Sequence, residues 1–593
     1  MSAPDISVDL CIGGRDLTEP KLSPDGTTVA FVVRWGSMAA IATVAVDGGP
    51  ERVVTVEPAP APGRGLGGGC FEWLPDGSAL VYAARDGNLW LQPVPGGSPR
   101  PITDVEEDRR HEAPAVSPDG SGVVSALDQA EIWWHPLGDG DRTVRRLDDG
   151  SADFVFDPHA TSDGSAVAWV GWSVPDMPWD SARIESFELA IGTRTSTVGT
   201  GSIQQPRSMP DGRRLSVRDD TGWLNVWLDD APLVEEPFEH AGPTWGMGQR
   251  SYAVSPAGDR VAFTRNEAGF GRLCVADVAA GEVDEIGRGV HGQLTWVGER
   301  LVALRTGART PTEIVSYDTG SFERTSLVVG PLAGWDAVEL PEPTLVEVDH
   351  HGVTLHARRY VAGRGRTICW VHGGPTDQWQ VEFMPRIAFW WSRGWDVLAV
   401  DPRGTTGHGR AYQQALQGEW GRMDVDDTAA ILRASHEVGD STPSATVLMG
   451  SSSGGLTVLG LMAHHPSLAA GGVTLYPVAD LAVLAEESHR FEAHYTISLV
   501  GPLDDVETYA ERSPVGYADR IAGPLLVMHG DEDPVVPLSS TVALAERMRA
   551  AGGDVQLVVM EGEGHGFRDP ANKRREYELT QSFVERIVAG TAG

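Results

Sequence analysis

The chain has little of what attaches a protein to a membrane or to nucleic acid. It contains no run of about 18 consecutive apolar residues, the length that a membrane-spanning helix needs, and its start, MSAPDISVDL, has neither a basic nor an apolar region. Lysine is nearly absent, with Lys21 and Lys573 alone, and the formal net charge of −36 repels phosphate groups and anionic lipids. We therefore expect a cytoplasmic protein that binds neither nucleic acid nor a membrane.

Cysteine is also scarce. The four cysteines, Cys11, Cys70, Cys274 and Cys369, show neither CxxC pairs nor the spacing of zinc ligands. This argues against a disulfide framework and a structural metal site. The fold must come from buried apolar residues, and a hydrophobic content of 41% is typical of folded domains. Because 593 residues exceed one ordinary core, we expect two domains.

A short turn motif recurs through the first half of the chain. In its complete form, Pro-Asp-Gly follows Ser, Leu or Met, and the third residues of the complete and degenerate copies are Asp25, Asp76, Asp119, Asp163, Asp211, Ala257 and Gly298. The steps between copies are 51, 43, 44, 48, 46 and 41 residues. Proline fixes φ in such a turn, aspartate bonds the nearby backbone, and glycine takes the left-handed conformation. Each copy predicts a tight turn between two strands.

The segments after these turns have the residue pattern of strands. Residues 79–83 and 260–264, for example, alternate apolar with small or polar side chains. Periods of about 40 to 50 residues built from short strands are typical of a β-propeller. Seven copies predict seven blades. We assign residues 17–335 to an N-terminal seven-bladed β-propeller and residues 1–16 to an N-terminal segment.

The pattern changes in the second half of the chain. Short apolar runs alternate there with segments of helical length, at residues 367–371, 397–400, 446–449, 473–476, 525–528 and 555–560. This alternation predicts a mostly parallel sheet with helices on both faces, and we assign residues 336–593 to a C-terminal α/β domain. Ligands of such sheets bind at the carboxyl ends of the strands, so reactive residues at those ends are the candidates for a site.

One strand end carries a candidate nucleophile. The run 446–449 is followed by Gly450-Ser451-Ser452-Ser453-Gly454 and then by a helical segment. A G-x-S-x-G sequence between a strand and a helix is the nucleophile elbow of serine hydrolases, whose sharp turn exposes the serine above the sheet. The middle serine, Ser452, is therefore the predicted nucleophile.

Two further strand ends carry an acid and a histidine. The loop after residue 528 contains Asp531 and Asp533, and either carboxylate could orient a histidine. The loop after residue 560 contains His565 between two glycines that free it to approach the serine. The chain order Ser, Asp, His is that of the α/β-hydrolases, so we identify residues 336–593 as an α/β-hydrolase domain. We therefore predict that His565 is the general base.

The run 367–371 leads into a candidate oxyanion loop, His372-Gly373-Gly374-Pro375. Acyl transfer requires backbone N–H donors for the tetrahedral oxyanion, and the N–H groups of Gly374 and Ser453 are the candidates. Losing one such donor typically costs about 3 to 4 kcal/mol of transition-state stabilisation. The predicted chemistry requires no metal and no organic cofactor, so we expect none.

Together these motifs resemble the prolyl oligopeptidase family of serine peptidases, near its acylaminoacyl-peptidase and aminopeptidase branch. Further segments that carry the resemblance are Asp401-Pro402-Arg403-Gly404, Trp420-Gly421-Arg422-Met423-Asp424 and Arg512-Ser513-Pro514. In that family the acid stands four residues after the histidine that is His529 here, which favours Asp533 over Asp531. Proline-specific relatives carry an arginine two residues after the acid; Val535 stands there in this chain, which argues against cleavage after proline.

The resemblance implies a serine peptidase that hydrolyses short peptides or aminoacyl amides through an acyl-enzyme. The leading hypothesis is an exopeptidase acting at a free or acylated amino terminus, with Glu235 and Glu236 as candidates for binding the substrate. Two alternatives stay open: an esterase or amidase acting on a small metabolite, and a catalytically idle propeller protein that binds a ligand. The sequence also leaves open whether the chain forms a homo-oligomer.

Overall fold

The computed structural model describes residues 6–63, 67–138, 142–331 and 334–590. Two compact units result. The propeller unit comprises Gly14–Leu332 with Gln380–Glu382, and the α/β unit comprises Met1–Gly13, Ala333–Trp379 and Phe383–Gly593. The predicted N-terminal segment, residues 1–16, therefore divides between the two units at Gly13.

The described part of the propeller unit contains seven four-stranded sheets, in each of which consecutive strands pair antiparallel. The prediction of a seven-bladed propeller is confirmed. Blades 1 to 4 consist of β1 to β16: Asp16–Leu22, Thr28–Trp35, Met38–Ala45 and Arg52–Thr55; Phe71–Trp73, Ala79–Ala83, Leu89–Pro93 and Arg100–Pro101; His111–Val116, Gly122–Leu127, Glu131–Pro136 and Arg145–Arg146; Phe154–Ala160, Ala166–Trp172, Arg183–Glu188 and Arg194–Val198. Blades 5 to 7 consist of β17 to β28: Ile203–Ser208, Arg214–Arg218, Asn225–Leu228 and Ala231–Pro232; Tyr252–Val254, Arg260–Glu267, Phe270–Asp277 and Val283–Arg288; Val290–Val297, Arg300–Gly307, Thr310–Asp318 and Arg324–Val329.

Each copy of the turn motif joins the first two strands of a blade. In the first copy, Asp25 Oδ1 accepts hydrogen bonds from the Ser23 hydroxyl at 2.6 Å and from Thr27 N at 3.1 Å. The turn glycines all have a left-handed φ, between 55° and 87°: Gly26, Gly77, Gly120, Gly164, Gly212, Gly258 and Gly298. The motif therefore acts as the sequence predicts, by closing hairpins.

The first strands of neighbouring blades contact one another, for example β1 with β25 and β9 with β13, and so surround the propeller axis. In or shortly before the first strand of every blade one residue has a left-handed φ: Glu19, Gly69, Ala113, Asp157, Gln205, Gly248 and Gln293. Gly68 N donates a hydrogen bond to Met247 O at 2.8 Å, although these residues precede the first strands of blades 2 and 6, which are not neighbours. Backbone from non-adjacent blades thus meets across the axis.

The α/β unit contains an eight-stranded sheet with the order β29-β30-β32-β31-β33-β34-β35-β36, in which β30 pairs antiparallel with β29 and β32 and the remaining pairs are parallel. The prediction of an α/β-hydrolase domain is confirmed. The strands β29 to β36 are Thr344–His350, Val353–Tyr360, Thr367–Val371, Asp396–Asp401, Thr446–Ser451, Gly471–Leu475, Leu525–Gly530 and Val555–Met560.

Helices pack on both faces of this sheet. Alternate residues of β31 face opposite sides: Cys369 joins a core with α4, α5 and α9, whereas Trp370 lines a small cavity with residues of α2 and α10. The helices α1 to α10 are Val8–Ile12, Pro385–Ser392, Arg410–Gln414, Met423–Glu437, Ser453–His464, Leu481–Glu487, Tyr495–Val500, Val506–Arg512, Leu538–Ala550 and Pro570–Gly590. Four short 3-10 helices lie in the described part of the unit, at Trp335–Ala337, Pro443–Ala445, Pro466–Leu468 and Pro514–Arg520.

All four cysteines are free thiols. Within the part of the chain that the structure describes, no group of three or more His, Cys, Asp or Glu side chains is arranged to hold a metal ion. None of the helices described there combines the length and the apolar composition that a membrane crossing requires.

The crossing at the propeller axis predicts that Gly248→Ala destabilises the protein. Gly248 has a φ of 73°, and a Cβ there would lie 2.2 Å from Gly69 N. A left-handed φ alone costs a residue with a Cβ about 1–2 kcal/mol, and the clash with backbone brings the expected loss of unfolding free energy above about 3 kcal/mol. Urea unfolding followed by tryptophan fluorescence measures it.

The matched control is Gly212→Ala. Gly212 has a φ of 87°, but a Cβ there would meet no atom within 4 Å. The expected loss is about 1 kcal/mol, from the backbone conformation alone. Equal losses for the two variants would contradict a close backbone approach at the axis.

Candidate active site

The three predicted catalytic residues follow strands at the same edge of the sheet. Ser452 follows β33, and Asp533 and His565 lie in the loops after β35 and β36. The parallel ladder aligns the carboxyl ends of these strands through β34, with the pairs Ser451–Leu475, Leu475–Met528 and Gly530–Met560. The three loops therefore begin side by side.

Ser452 occupies a strained turn between β33 and α5. Its φ is 52° and its ψ is −121°, a conformation that costs a non-glycine residue about 1–3 kcal/mol and persists only where its surroundings enforce it. Ser452 N donates a hydrogen bond to Leu475 O at 3.0 Å, and Val478 N donates one to Ser452 O at 3.2 Å. The neighbouring strand and the segment after it thus hold the serine in this conformation.

The glycines beside Ser452 are required by close packing and not by a left-handed φ of their own, which belongs to Ser452 itself. A Cβ on Gly450 would lie 2.2 Å from Gly454 O, and one on Gly454 would lie 2.4 Å from Val371 O. Hydrogen alone fits at both positions because the backbone packs so closely there.

His565 is hydrogen-bonded to Asp533. His565 Nδ1 lies 2.8 Å from Asp533 Oδ2; the Asp533 side chain is fully enclosed, and that of His565 is 23% exposed. Because a carboxylate oxygen accepts, Nδ1 carries the hydrogen and donates it. The neutral imidazole then has its lone pair on Nε2, which is the tautomer that a general base requires.

The Asp533 carboxylate is held from several sides. Its Oδ1 accepts hydrogen bonds from Val535 N at 2.8 Å and Val536 N at 3.0 Å, and His529 Nε2 lies 3.5 Å from Oδ2. Burial by itself raises the pKa of Asp533, but the hydrogen bonds outweigh it, with His529 and His565 contributing most, and hold the pKa well below its usual range. The acid therefore stays ionised throughout the pH range in which histidines titrate.

Asp531, the rival acid, has another partner. It is exposed, and its Oδ1 accepts a hydrogen bond from Gly562 N at 2.7 Å. This bond joins the loop after β35 to the loop after β36. In the structure His565 therefore contacts Asp533, and Asp531 connects the two loops.

Tyr476 connects the serine side of the site to the histidine. It follows Leu475 of β34 directly, and its ring centroid lies 4.6 Å from that of His565. Leu475 O is in turn the acceptor for Ser452 N. Among the described residues no hydrogen bond joins the Ser452 hydroxyl to His565, so proton transfer between them stays a prediction.

The candidate oxyanion loop lies against the serine. A Cβ on Gly373 would be 3.5 Å from Ser452 Cβ, and Gly374 has a left-handed φ of 120°. Ser453 is the first residue of α5, where backbone N–H groups have no partner within the helix. These positions are compatible with the oxyanion role predicted for the N–H groups of Gly374 and Ser453, which stays a prediction.

The sequence interpretation missed two sets of hydrogen bonds that fix the segment directly after the oxyanion loop. Thr376 N donates to the Tyr495 hydroxyl at 3.0 Å, and that hydroxyl donates to Thr376 Oγ1 at 2.7 Å. Two residues further on, Gln378 Nε2 donates to Asp401 Oδ2 at 2.9 Å. Tyr495 is 119 positions from Thr376 and stands in no motif, so no local signal pointed to it.

Glu235 and Glu236, the candidate substrate-binding residues, follow β20 in blade 5. Glu235 is exposed, whereas Glu236 has partners within the propeller unit. Its Oε1 lies 2.8 Å from His240 Nε2, and its Oε2 lies 3.5 Å from Arg265 Nη1. A substrate role for the pair stays a prediction, and Glu236 already has the role of balancing Arg265.

Comparisons with known proteins find a family model that matches part of this chain and several similar peptidases. The family model described as "Prolyl oligopeptidase family" matches residues 381–591. Dipeptidyl aminopeptidase BIII of Pseudoxanthomonas mexicana is 30% identical over 228 residues, which cover 37% of this chain and 33% of that protein. Acylamino-acid-releasing enzyme 1 of Oryza sativa subsp. japonica is 26% identical over 214 residues, covering 34% of this chain and 28% of that protein. The chain thus spans about a third of the length of the curated relatives it matches.

A solved structure is similar over nearly the whole chain. The puromycin-hydrolysing peptidase of Mycobacterium tuberculosis has a TM-score of 0.90 and 26% sequence identity, and the match covers 99% of this chain and 96% of that one. Both units described above thus have counterparts in that protein.

The two acids of the loop after β35 predict opposite results on substitution. In Asp533→Asn the N–H groups of Val535 and Val536 hold the amide oxygen, so the NH2 group faces His565 Nδ1 and favours the wrong tautomer. The rate at which a fluorophosphonate labels Ser452 should therefore fall by about 1,000-fold or more. Asp531→Asn keeps an oxygen that can accept from Gly562 N, and its labelling rate should stay within about threefold of the parent rate. Intact-mass kinetics measure both rates. Equal losses in the two variants would overturn the assignment of Asp533.

Proposed function

We propose that this chain is a serine exopeptidase, a proposal supported by the match of the prolyl oligopeptidase family model to residues 381–591. It removes an amino-terminal residue from short peptides or from aminoacyl amides. Ser452 is the nucleophile, His565 the general base and Asp533 the acid that orients it. The observation that carries this proposal is the 2.8 Å hydrogen bond between His565 and Asp533 at the sheet edge where Ser452 turns.

The first half of the reaction forms an acyl-enzyme. His565 Nε2 takes the proton of the Ser452 hydroxyl as Oγ attacks the scissile carbonyl carbon, and the carbonyl oxygen becomes an oxyanion bound by the N–H groups of Gly374 and Ser453. His565 then gives its proton to the leaving amine as the C–N bond breaks. Hydrogen bonds of this kind often tighten only when substrate binds.

The second half releases the acyl group. Water takes the place of the leaving amine, His565 removes a proton from it, and the hydroxide oxygen attacks the acyl carbon. The second tetrahedral intermediate collapses, and Ser452 regains its proton from His565. The ionised Asp533 stabilises the imidazolium formed in both halves because its carboxylate accepts the hydrogen bond from Nδ1–H throughout, while the proton stays on Nδ1.

Two observations support substrates with a free amine. The similar structure is named for hydrolysis of puromycin, an aminoacyl amide whose amine is free. The formal net charge of −36 also favours the approach of a cationic group over an anionic one. The acylamino-acid-releasing relative supports the second candidate, cleavage after an acylated amino-terminal residue.

Matched substrates should separate these possibilities. We expect kcat/KM for puromycin and for a free aminoacyl 4-nitroanilide to exceed that for the acetylated anilide by at least about tenfold, because the free amine contributes an ionic contact in the transition state. A peptide amide that can be cut only internally should be the poorest amide substrate. Continuous absorbance assays and chromatography of the products give the values.

Ser452→Ala is the control for background hydrolysis and should abolish turnover of every substrate. Preference for the acetylated anilide would favour the second candidate. Hydrolysis of simple esters alone would indicate an esterase, and a parent protein inert towards all substrates and towards a fluorophosphonate would leave a binding protein.

A further inference from the structure

His565 stands at the tip of a tight turn. Gly566 N donates a hydrogen bond to Gly564 O at 2.9 Å, so the chain reverses tightly between the two glycines with the histidine between them. The whole loop runs only from the end of β36 at Met560 to the start of α10 at Pro570. Whatever fixes the base of this turn therefore fixes the imidazole.

Glu563 lies at that base and is buried, with 2% of its surface exposed. Its Oε2 accepts a hydrogen bond from Arg568 N at 2.8 Å, and its Oε1 accepts from Asp569 N at 2.9 Å and from Asn572 Nδ2 at 3.0 Å. The carboxylate thus connects the segment that follows the histidine turn to the first residues of α10. Each partner donates, so an ionised carboxylate satisfies all three bonds.

The main chain of Glu563 binds the loop that carries the acid. Glu532 N, directly before Asp533, donates to Glu563 O at 3.0 Å. A Cβ on Gly530 would lie 2.1 Å from the same oxygen, so the two loops approach as closely as backbone allows. One residue therefore connects the acid loop, the histidine turn and the long helix α10.

We propose that Glu563 is a positioning residue that holds His565 Nδ1 against Asp533, a role that rests on the proposed function. Its hydrogen bonds are to the backbone of the two loops and to Asn572 rather than to the side chains of the triad. Its side chain fixes the outgoing end of the turn and its carbonyl fixes the incoming end. Within the described part of the chain, the donors to this buried carboxylate belong to the histidine loop and to α10. The carboxylate therefore fixes the turn in the same way whatever the substrate.

Glu563→Gln tests the role. Glutamine has nearly the shape of glutamate but turns an NH2 group towards donors, so the turn must shift. Displacements of about 1 Å near reacting groups cost up to about 100-fold in rate; we expect kcat for an aminoacyl 4-nitroanilide to fall by about 10- to 100-fold with KM within about twofold. The rate of fluorophosphonate labelling of Ser452 should fall by a similar factor.

The chain offers a matched control two residues away. Glu561 is exposed, and its contact with α10 is through its main-chain oxygen, which accepts a hydrogen bond from Asn572 Nδ2 at 3.2 Å. Glu561→Gln makes the same chemical change and should keep kcat and the labelling rate of the parent. Thermal unfolding of both variants, with the labelled fraction at completion, shows how much protein is folded.

The outcomes for the role of Glu563 and for the proposed function are distinguishable. A parental kcat in folded Glu563→Gln, or an equal loss in Glu561→Gln, would overturn the role. A parent enzyme that reacts with the fluorophosphonate but cleaves no peptide would contradict the proposed function instead, and the labelling rates would still test Glu563.

A second variant covers the case in which Glu563→Gln does not fold. Asn572→Ala removes one of the three donors to the carboxylate, together with the hydrogen bond to Glu561 O, and leaves the carboxylate in place. It should lower the labelling rate by about three- to tenfold, because one charge-assisted hydrogen bond to Glu563 is lost and Glu563 acts on the reaction through His565. A labelling rate equal to the parent rate would contradict the proposal.

Discussion

The hydrogen bond from His565 to Asp533 is the interaction on which the rest of the site depends. It fixes which ring nitrogen carries the hydrogen, and hence which one can accept a proton from serine. The bond forms because Val535 N and Val536 N hold the acid from one side and because the parallel pairing of β35 with β36 brings the two loops together. The sheet register and the loop hydrogen bonds therefore together position the groups that carry out the reaction.

The sheet also holds conformations that the chain would not adopt alone. Ser452 has a left-handed φ of 52°, and Tyr476, which packs on His565, has one of 37°. Such residues cost about 1–3 kcal/mol each. The backbone hydrogen bonds of Ser452 to Leu475 and of Tyr476 to Met528 continue the strand ladder into the loops, so the strongly paired strands can hold the strained residues at their ends.

The sequence was most informative where chemistry and local geometry coincide. The seven turn glycines and the G-x-S-x-G of Ser452 require special backbone, and such positions have recognisable residues. Strands and their ends followed from apolar periodicity. Glu563 and Tyr495 were missed because their roles come from which loops meet in space, and a glutamate or a tyrosine in a loop carries no sign of that. The backbone crossing between Gly68 and Met247 was equally out of reach, since blade neighbours alone do not reveal contacts across an axis. Glu236 was a candidate because it is acidic, and in the structure its carboxylate pairs with Arg265.

The most direct measurement is a crystal structure of the protein after reaction with a fluorophosphonate. The account predicts one adduct, on Ser452 Oγ, with a phosphoryl oxygen about 2.7–3.1 Å from the N–H groups of Gly374 and Ser453 and with His565 between the adduct and Asp533. An adduct on another residue, or an imidazole that leaves Asp533 and turns away from the phosphoryl group, would contradict it.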